Sequence, residues 1–182
     1  MRRAFVVALL GAESTGKTTL AHDLGIALAA RGEDVVVVGE FLRVFCDADG
    51  RTPRREEQRA IAAEQSRRIE SAAARAAVVV ADTSAVMVAV YSEIVFGDTS
   101  LLAESLAAHR RCDLTLLTTL DLPWLPDGLQ RDGPHVRAPV DERVQAALRS
   151  AGIDFTRVAG VGAQRLDHAL RIIDRSRRAG PG

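Results

Sequence analysis

Gly11-Ala12-Glu13-Ser14-Thr15-Gly16-Lys17-Thr18 decides how the rest of this chain is read. It places a glycine, four variable positions and then Gly-Lys-Thr in the order of a phosphate-binding loop. Glycines let successive backbone N–H groups turn inward, which makes a nest for anionic oxygens. A helix starting at the end of the loop adds the positive end of its dipole. Lys17 then supplies a compact ammonium for the β- and γ-phosphates, and the Thr18 hydroxyl supplies a ligand for Mg²⁺. Thr19 adds a second hydroxyl, near the α-phosphate. Gly11 through Thr19 are therefore the candidate nucleotide-binding residues, with ATP (or GTP) as the ligand. The bland alternative is an ordinary glycine-containing turn between a strand and a helix.

The flanks favour the loop. Ala4 to Leu10 is apolar throughout, as a strand covered on both faces should be. Thr18 to Ala30 carries Leu20, Leu24, Ala27 and Leu28 at helical spacing, with Gly32 as a stop. Further along, Asp34–Val38, Ala77–Ala81, Leu114–Leu120 and Asp154–Val158 read as four more strands. Helices are expected at Arg54–Ala77, Ala85–Phe96, Ser100–His109, Asp141–Ser150 and Ala163–Arg175. Five short apolar strands alternating with helices predict an α/β P-loop NTPase fold, a five-stranded parallel sheet wrapped on both faces. Residues 1–176 form one domain on this reading. Its lid runs from about 123 to 140, where four prolines and two glycines collect, and 177–182 form a disordered tail.

Composition narrows the function classes. The 182 residues carry a formal net charge of zero, which argues against a dedicated nucleic-acid binder. No apolar run approaches the roughly 18 residues of a membrane helix. Cys46 and Cys112 stand in neither metal-type nor redox-type spacing, so thiols in a reducing cytoplasm are expected. Of 24 lysines and arginines only Lys17 is a lysine, and it falls where a guanidinium would be too large and planar. The partner implied is a small molecule. Whether the chain forms a homo-oligomer is left open.

Ligands of such sheets bind at the carboxyl ends of the strands, so the polar residues there are the candidates. Asp82 ends the third strand, where a carboxylate would hold Mg²⁺ together with Thr18; Asp82-Thr83-Ser84 also reads as a helix cap. Glu40 and Arg43 follow the second strand. Glu40 is placed as the group that takes the proton of an acceptor hydroxyl, and Arg43 as a substrate or phosphate ligand; the alternative is a solvated pair on the first turn of a helix. Arg131 and Arg137 lie in the lid, where arginines neutralise a moving phosphoryl group and exclude water. Trp124, the sole tryptophan, is either a hinge under the lid or a stacking face. Tyr91, Glu93, Phe96 and Asp98 are candidates for an acceptor pocket, with Phe96 better suited to core packing. Gly160-Val161-Gly162 is a turn that can pass the adenine, and no histidine is assigned to catalysis.

Taken together, Gly11–Thr19, the step Glu40-Phe41-Leu42-Arg43, Asp82-Thr83 and Asp121-Leu122-Pro123-Trp124-Leu125-Pro126-Asp127-Gly128-Leu129 resemble the NadR-type ribosylnicotinamide kinases and their AAA-labelled P-loop relatives. The likeness spans residues 4 to 175. The resemblance implies ATP- and Mg²⁺-dependent phosphorylation of nicotinamide riboside to nicotinamide mononucleotide. Arg43, Asp82, Tyr91, Trp124 and Asp127 are the candidate substrate contacts. The lid departs from the pattern: Gly128-Leu129 is followed by Gln130, and the arginine comes one position later, at Arg131.

Overall fold

The computed structural model describes residues 3–125 and 133–179. Five strands, β1 (Phe5–Leu10), β2 (Val35–Val38), β3 (Val78–Asp82), β4 (Leu114–Thr118) and β5 (Thr156–Val158), form one sheet in the order β2-β3-β1-β4-β5. Every neighbouring pair is parallel. The helices are α1 (Lys17–Ala30), α2 (Phe41–Asp49), α3 (Gln58–Ala73), α4 (Ala85–Phe96), α5 (Leu102–His109), α6 (Arg137–Ser150) and α7 (Gly162–Ala179).

The alternation of a strand divides the core between the two faces. Val7, Leu9, Val78, Val80 and Leu116 point to one face, where Leu20, Leu24 and Leu28 of α1 and Ala169, Leu170 and Ile173 of α7 cover them. Leu10 and Leu117 point to the other face and meet α4 and α6 through Val86, Val90, Val140, Val144 and Leu148. Val6, Val79 and Ala81 share that second face with Ile69 and Ala72 of α3. Both faces being covered, β1 and β3 are apolar nearly end to end, which is why they read as continuous runs.

Helix boundaries depart from expectation in four places. The helix α2 was foreseen only as the alternative reading of Glu40 and Arg43; its nine residues, Phe41-Leu-Arg-Val-Phe-Cys-Asp-Ala-Asp49, lie between the second strand and the charged stretch. The stretch expected as one helix from Arg54 begins instead with a single 3-10 turn, Arg55–Glu57, and α3 then ends at Ala73. The helix expected from Asp141 begins at Arg137, because Pro139 sits within its first turn, where a missing N–H costs nothing. At the far end α7 continues to Ala179, and Arg177 bonds Glu33 at 2.6 Å, so 177–179 belong to the helix rather than to a tail. Residues 180–182 lie outside the described residues.

Gly25 of α1 faces the edge strand β2. A Cβ there would sit 2.5 Å from Val37 Cγ2. Gly to Ala inside a helix ordinarily gains about 1 kcal/mol, so this contact opposes the helical gain. Gly25→Ala is expected to stabilise the protein by about 1 kcal/mol more in a Val37→Ala background than alone, read from urea midpoints at constant slope. Equal effects in both backgrounds would refute the contact.

Candidate functional site

The strand-to-helix turn after β1 has the geometry its sequence requires. Gly11 sits at φ 148°, and a Cβ there would stand 2.1 Å from Thr118 Oγ1, so any other residue must push the Thr118 hydroxyl out of place. Gly16 sits at φ 74°, with Leu122 Cδ1 2.9 Å from where its Cβ would be. Ser14 is also left-handed, at φ 52°. The loop is braced from behind by a chain of hydroxyls: Thr118 Oγ1 donates to Thr15 Oγ1 at 2.7 Å, and Thr15 Oγ1 donates to Ala12 O at 2.8 Å. Lys17 Nζ donates to the same carbonyl at 2.8 Å. Ala12 is fully buried behind the loop.

Asp82 and Thr18 meet beside it. The β1–β3 register pairs Leu9 with Asp82, and Thr18 Oγ1 donates to Asp82 Oδ2 at 2.6 Å. Asp82 is 2 % exposed, and its Oδ1 is buried without a hydrogen-bond partner. A buried carboxylate oxygen with no donor is costly unless a ligand completes it. An adjacent hydroxyl and an incomplete carboxylate suit Mg²⁺, a hard cation that takes few protein ligands and several from phosphates and water. No cluster of three or more His, Cys, Asp or Glu suited to a metal occurs among the described residues.

A cleft of about 680 Å³ opens over the loop. Its walls include Gly11, Glu13–Thr19, Glu40, Arg43, Asp47, Gln58, Thr83, Met87, Tyr91 and Phe96, so the nucleotide residues and the second-strand pair share one space. Glu40 is the N-cap residue of α2 and its side chain makes no cap bond. Its backbone position is fixed from α3: Gln65, 1 % exposed, accepts from Phe41 N at 2.7 Å. Phe96 lines the cleft instead of the core, a correction to the sequence expectation: α4 ends at Gly97, so its last residue overhangs the opening. Glu93 and Asp98 are engaged elsewhere. Glu93 pairs with Arg143 at 2.8 Å, and Asp98 pairs with Arg55 at 3.2 Å while accepting from Ser100 N.

The lid candidates fare differently. Asp127 and Arg131 lie outside the described residues. Arg137 is 9 % exposed, opens α6 and donates from Nη2 to Leu122 O at 2.9 Å, so it holds the base of the lid rather than standing in a flexible loop. Trp124 is half-buried and not among the cleft-lining residues. Ser14 ties the near end of the segment to the phosphate loop by donating to Leu125 O at 2.8 Å.

Two residues of the support were not foreseen. Arg165 of α7, 4 % exposed, donates to Thr15 O, to Asp121 and, at 2.7 Å, to Gly160 O. It therefore clips the phosphate loop to the two turns after β4 and β5. Gly160 N donates to Asp121 Oδ2 at 2.6 Å. Partial burial opposes ionisation of Asp121, but hydrogen bonds from Thr119, Gly160 and Arg165 prevail and lower its pKa. The second residue is His109, 2 % exposed, with Nδ1 2.9 Å from Ser84 Oγ and Nε2 2.8 Å from Thr115 Oγ1. Ser84 in turn caps α4 through Val86 N, so His109 fixes the turn that follows Asp82.

Two expectations follow. Gly11→Ala should abolish nucleotide binding in calorimetry while the protein stays folded, since the intruding methyl displaces Thr118; retained affinity would count against the packing argument. Burial pushes His109 down to about 4, so the folded protein keeps it neutral while the unfolded chain protonates near 6.5. Its contribution is complete above pH 6.5 and is lost as pH falls towards 4, about 3 kcal/mol in all. The stability difference between wild type and His109→Gln should accordingly shrink over that interval in denaturant titrations at stepped pH. A constant difference would remove His109 from the acid response.

The model of a family described as AAA domain matches residues 6–165. No curated protein sequence matches. Among solved structures 166 chains match, so the fold alone selects no acceptor. One of them is the crystal structure of NadR protein in complex with NR, with a TM-score of 0.74 at 20% identity, covering 95% of this chain and 50% of that chain. This chain thus spans about half the length of that protein. At such identity the likeness shows a shared fold, the five-stranded parallel P-loop architecture described above. The family match takes in the phosphate loop, Asp82 and the turns after β4 and β5, and on that span the chain belongs to the AAA domain family.

Proposed function

We propose that this protein is an ATP-dependent small-molecule kinase whose acceptor is nucleoside-like, with nicotinamide riboside the foremost candidate. One observation carries the reading. The same cleft that holds the phosphate loop is also lined by Glu40, Arg43, Asp47, Tyr91 and Phe96, room beyond what the loop alone requires. A regulatory switch or simple ATPase needs room for a nucleotide and a water; a kinase needs a second compartment beside the γ-phosphate. Carboxylates beside aromatic rings suit a flat, positively charged ring, as nicotinamide riboside has. The NadR structure in complex with NR, sharing the fold, supports the same choice.

The chemistry assigned to the residues is mainly positioning and charge neutralisation. The loop amides and Lys17 grip the β- and γ-phosphates. Thr18 and Asp82 would hold Mg²⁺, which when bound neutralises charge on the phosphate oxygens. Glu40, on the rim of the cleft, accepts the proton of the attacking hydroxyl, and Arg43 binds the acceptor or the phosphoryl group. Arg137 anchors the base of the lid through the Leu122 carbonyl. The role of Arg131 as a lid arginine rests on its place in the proline-rich segment, and that of Asp127 as an acceptor ligand on the family resemblance.

Purified protein with Mg-ATP and a panel of nucleosides, nicotinamide riboside among them, should yield one phosphorylated product by mass spectrometry. Lys17→Ala should yield none. Glu40→Gln should lower kcat about 100-fold or more with Mg-ATP affinity retained. ADP formation indifferent to every acceptor would instead mark an ATPase or a nucleotide-dependent switch, and product from another nucleoside or metabolite would move the acceptor.

A further inference from the structure

Two buried side chains in the cleft wall lack hydrogen-bond partners, and neither has a role in the mechanism above. Thr83 is 1 % exposed and its Oγ1 has no partner; Gln58 is 5 % exposed and its Oε1 has none. Both line the cleft. A buried oxygen left unpaired costs about 1–3 kcal/mol, a cost that a ligand donating to it removes.

Thr83 carries a second mark. Its φ is 79°, and it is one of two non-glycine residues with positive φ among those described. A β-branched side chain there is strained by about 1–3 kcal/mol, and glycine would relieve it. The turn is held in that state from both ends. Thr83 N donates to Leu9 O at 3.0 Å, and Ser84 is fixed by its α4 cap and by His109. The strained turn sets Thr83, with its unpaired hydroxyl, in the cleft wall one residue beyond Asp82.

That position identifies what Thr83 meets. Asp82 and Thr18 mark the phosphoryl-transfer end, and the reacting hydroxyl must lie within about 3–3.5 Å of the phosphorus. A side chain adjacent in the chain to Asp82 faces the part of the acceptor nearest that hydroxyl, which in a nucleoside is the sugar. Gln58 opens α3 on the same cleft and offers both an amide donor and a carbonyl acceptor, the complement of a hydroxyl that does both. We infer that Gln58 and Thr83 bind the vicinal hydroxyls of a ribosyl acceptor and set selectivity for ribosides over deoxyribosides. The inference rests on the kinase reading and deepens it.

The test compares nicotinamide riboside with its 2′-deoxy and 3′-deoxy analogues as acceptors at saturating Mg-ATP. Wild type should prefer the riboside over at least one analogue by about 10-fold or more in kcat/KM, as sites built to bond a hydroxyl do. Gln58→Met and Thr83→Gly should bring the ratio towards one, mainly by weakening the riboside. Thr83→Ser, which keeps the hydroxyl, should retain it. Mg-ATP affinity by calorimetry serves as the check on folding, and Gln58→Asn, which shortens the reach but keeps the amide, replaces Gln58→Met if that variant fails it. Unchanged ratios in the variants, or no preference in wild type, would overturn the inference and leave the kinase reading intact. Failure of wild type to phosphorylate any nucleoside while binding Mg-ATP would overturn both.

Discussion

Thr18 and Asp82 stand 64 residues apart in the chain and meet across 2.6 Å because two parallel strands share an edge. The register that sets Leu9 against Asp82 brings the carboxylate level with the start of α1. A slip of one residue would turn Asp82 off the α1 face, which it shares with Val78 and Val80, and away from Thr18. The apolar alternation of β1 and β3, buried on both faces, therefore fixes more than the sheet. It sets the distance between the hydroxyl and the carboxylate on which the proposed metal site depends, and it leaves one carboxylate oxygen incomplete.

Around that pair, backbone geometry is held by buried side chains. Thr118 and Thr15 brace the phosphate loop from behind, Arg165 clips it to the turns after β4 and β5, and Gln65 fixes the entry to α2. His109 does the same for the turn after Asp82. Each is nearly fully buried and partnered, so each restricts a loop from the rigid core outward. Loops shaped in this way keep their donors in place before any ligand arrives, the condition for binding energy to act on charge at once.

Local signals made the sheet and the phosphate loop legible. A strand buried on both faces announces itself by composition, and a loop requiring glycine at φ 148° and 74° announces itself by spacing. The helix α2 gave no such signal. It is short, and six of its nine residues, Phe41, Leu42, Val44, Phe45, Cys46 and Ala48, are apolar in a pattern without a clear stop until Gly50. Its first N–H is satisfied by Gln65, 24 residues away. Arg165 and His109 were hidden for the same reason: a buried arginine or histidine is defined by partners distant in sequence, and nothing in its neighbours marks it. Proline misled at Pro139, where a turn signal proved to be the first turn of α6. The orphaned oxygens of Thr83 and Gln58 belong to this class too, since lacking a partner is a property of the fold alone.

The uneven use of cations then acquires a structural reason. Arg165 satisfies two carbonyls and a carboxylate at once, and Arg157 grips both oxygens of Asp141 at 2.7 and 2.9 Å. The first is a task for a rigid fork with several donors; in the second both contacts come from Nη1. Lys17 has the opposite task. Its Nζ rests on Ala12 O at 2.8 Å inside a loop whose clearances are set by Thr118, Leu122 and Arg165. An ammonium can leave that carbonyl and follow a phosphate by turning about its single-bonded stem; a planar guanidinium would need a wider slot and a fixed partner. Arginine thus stands at Arg165, where one cation holds several groups at once, and the one lysine stands inside the loop.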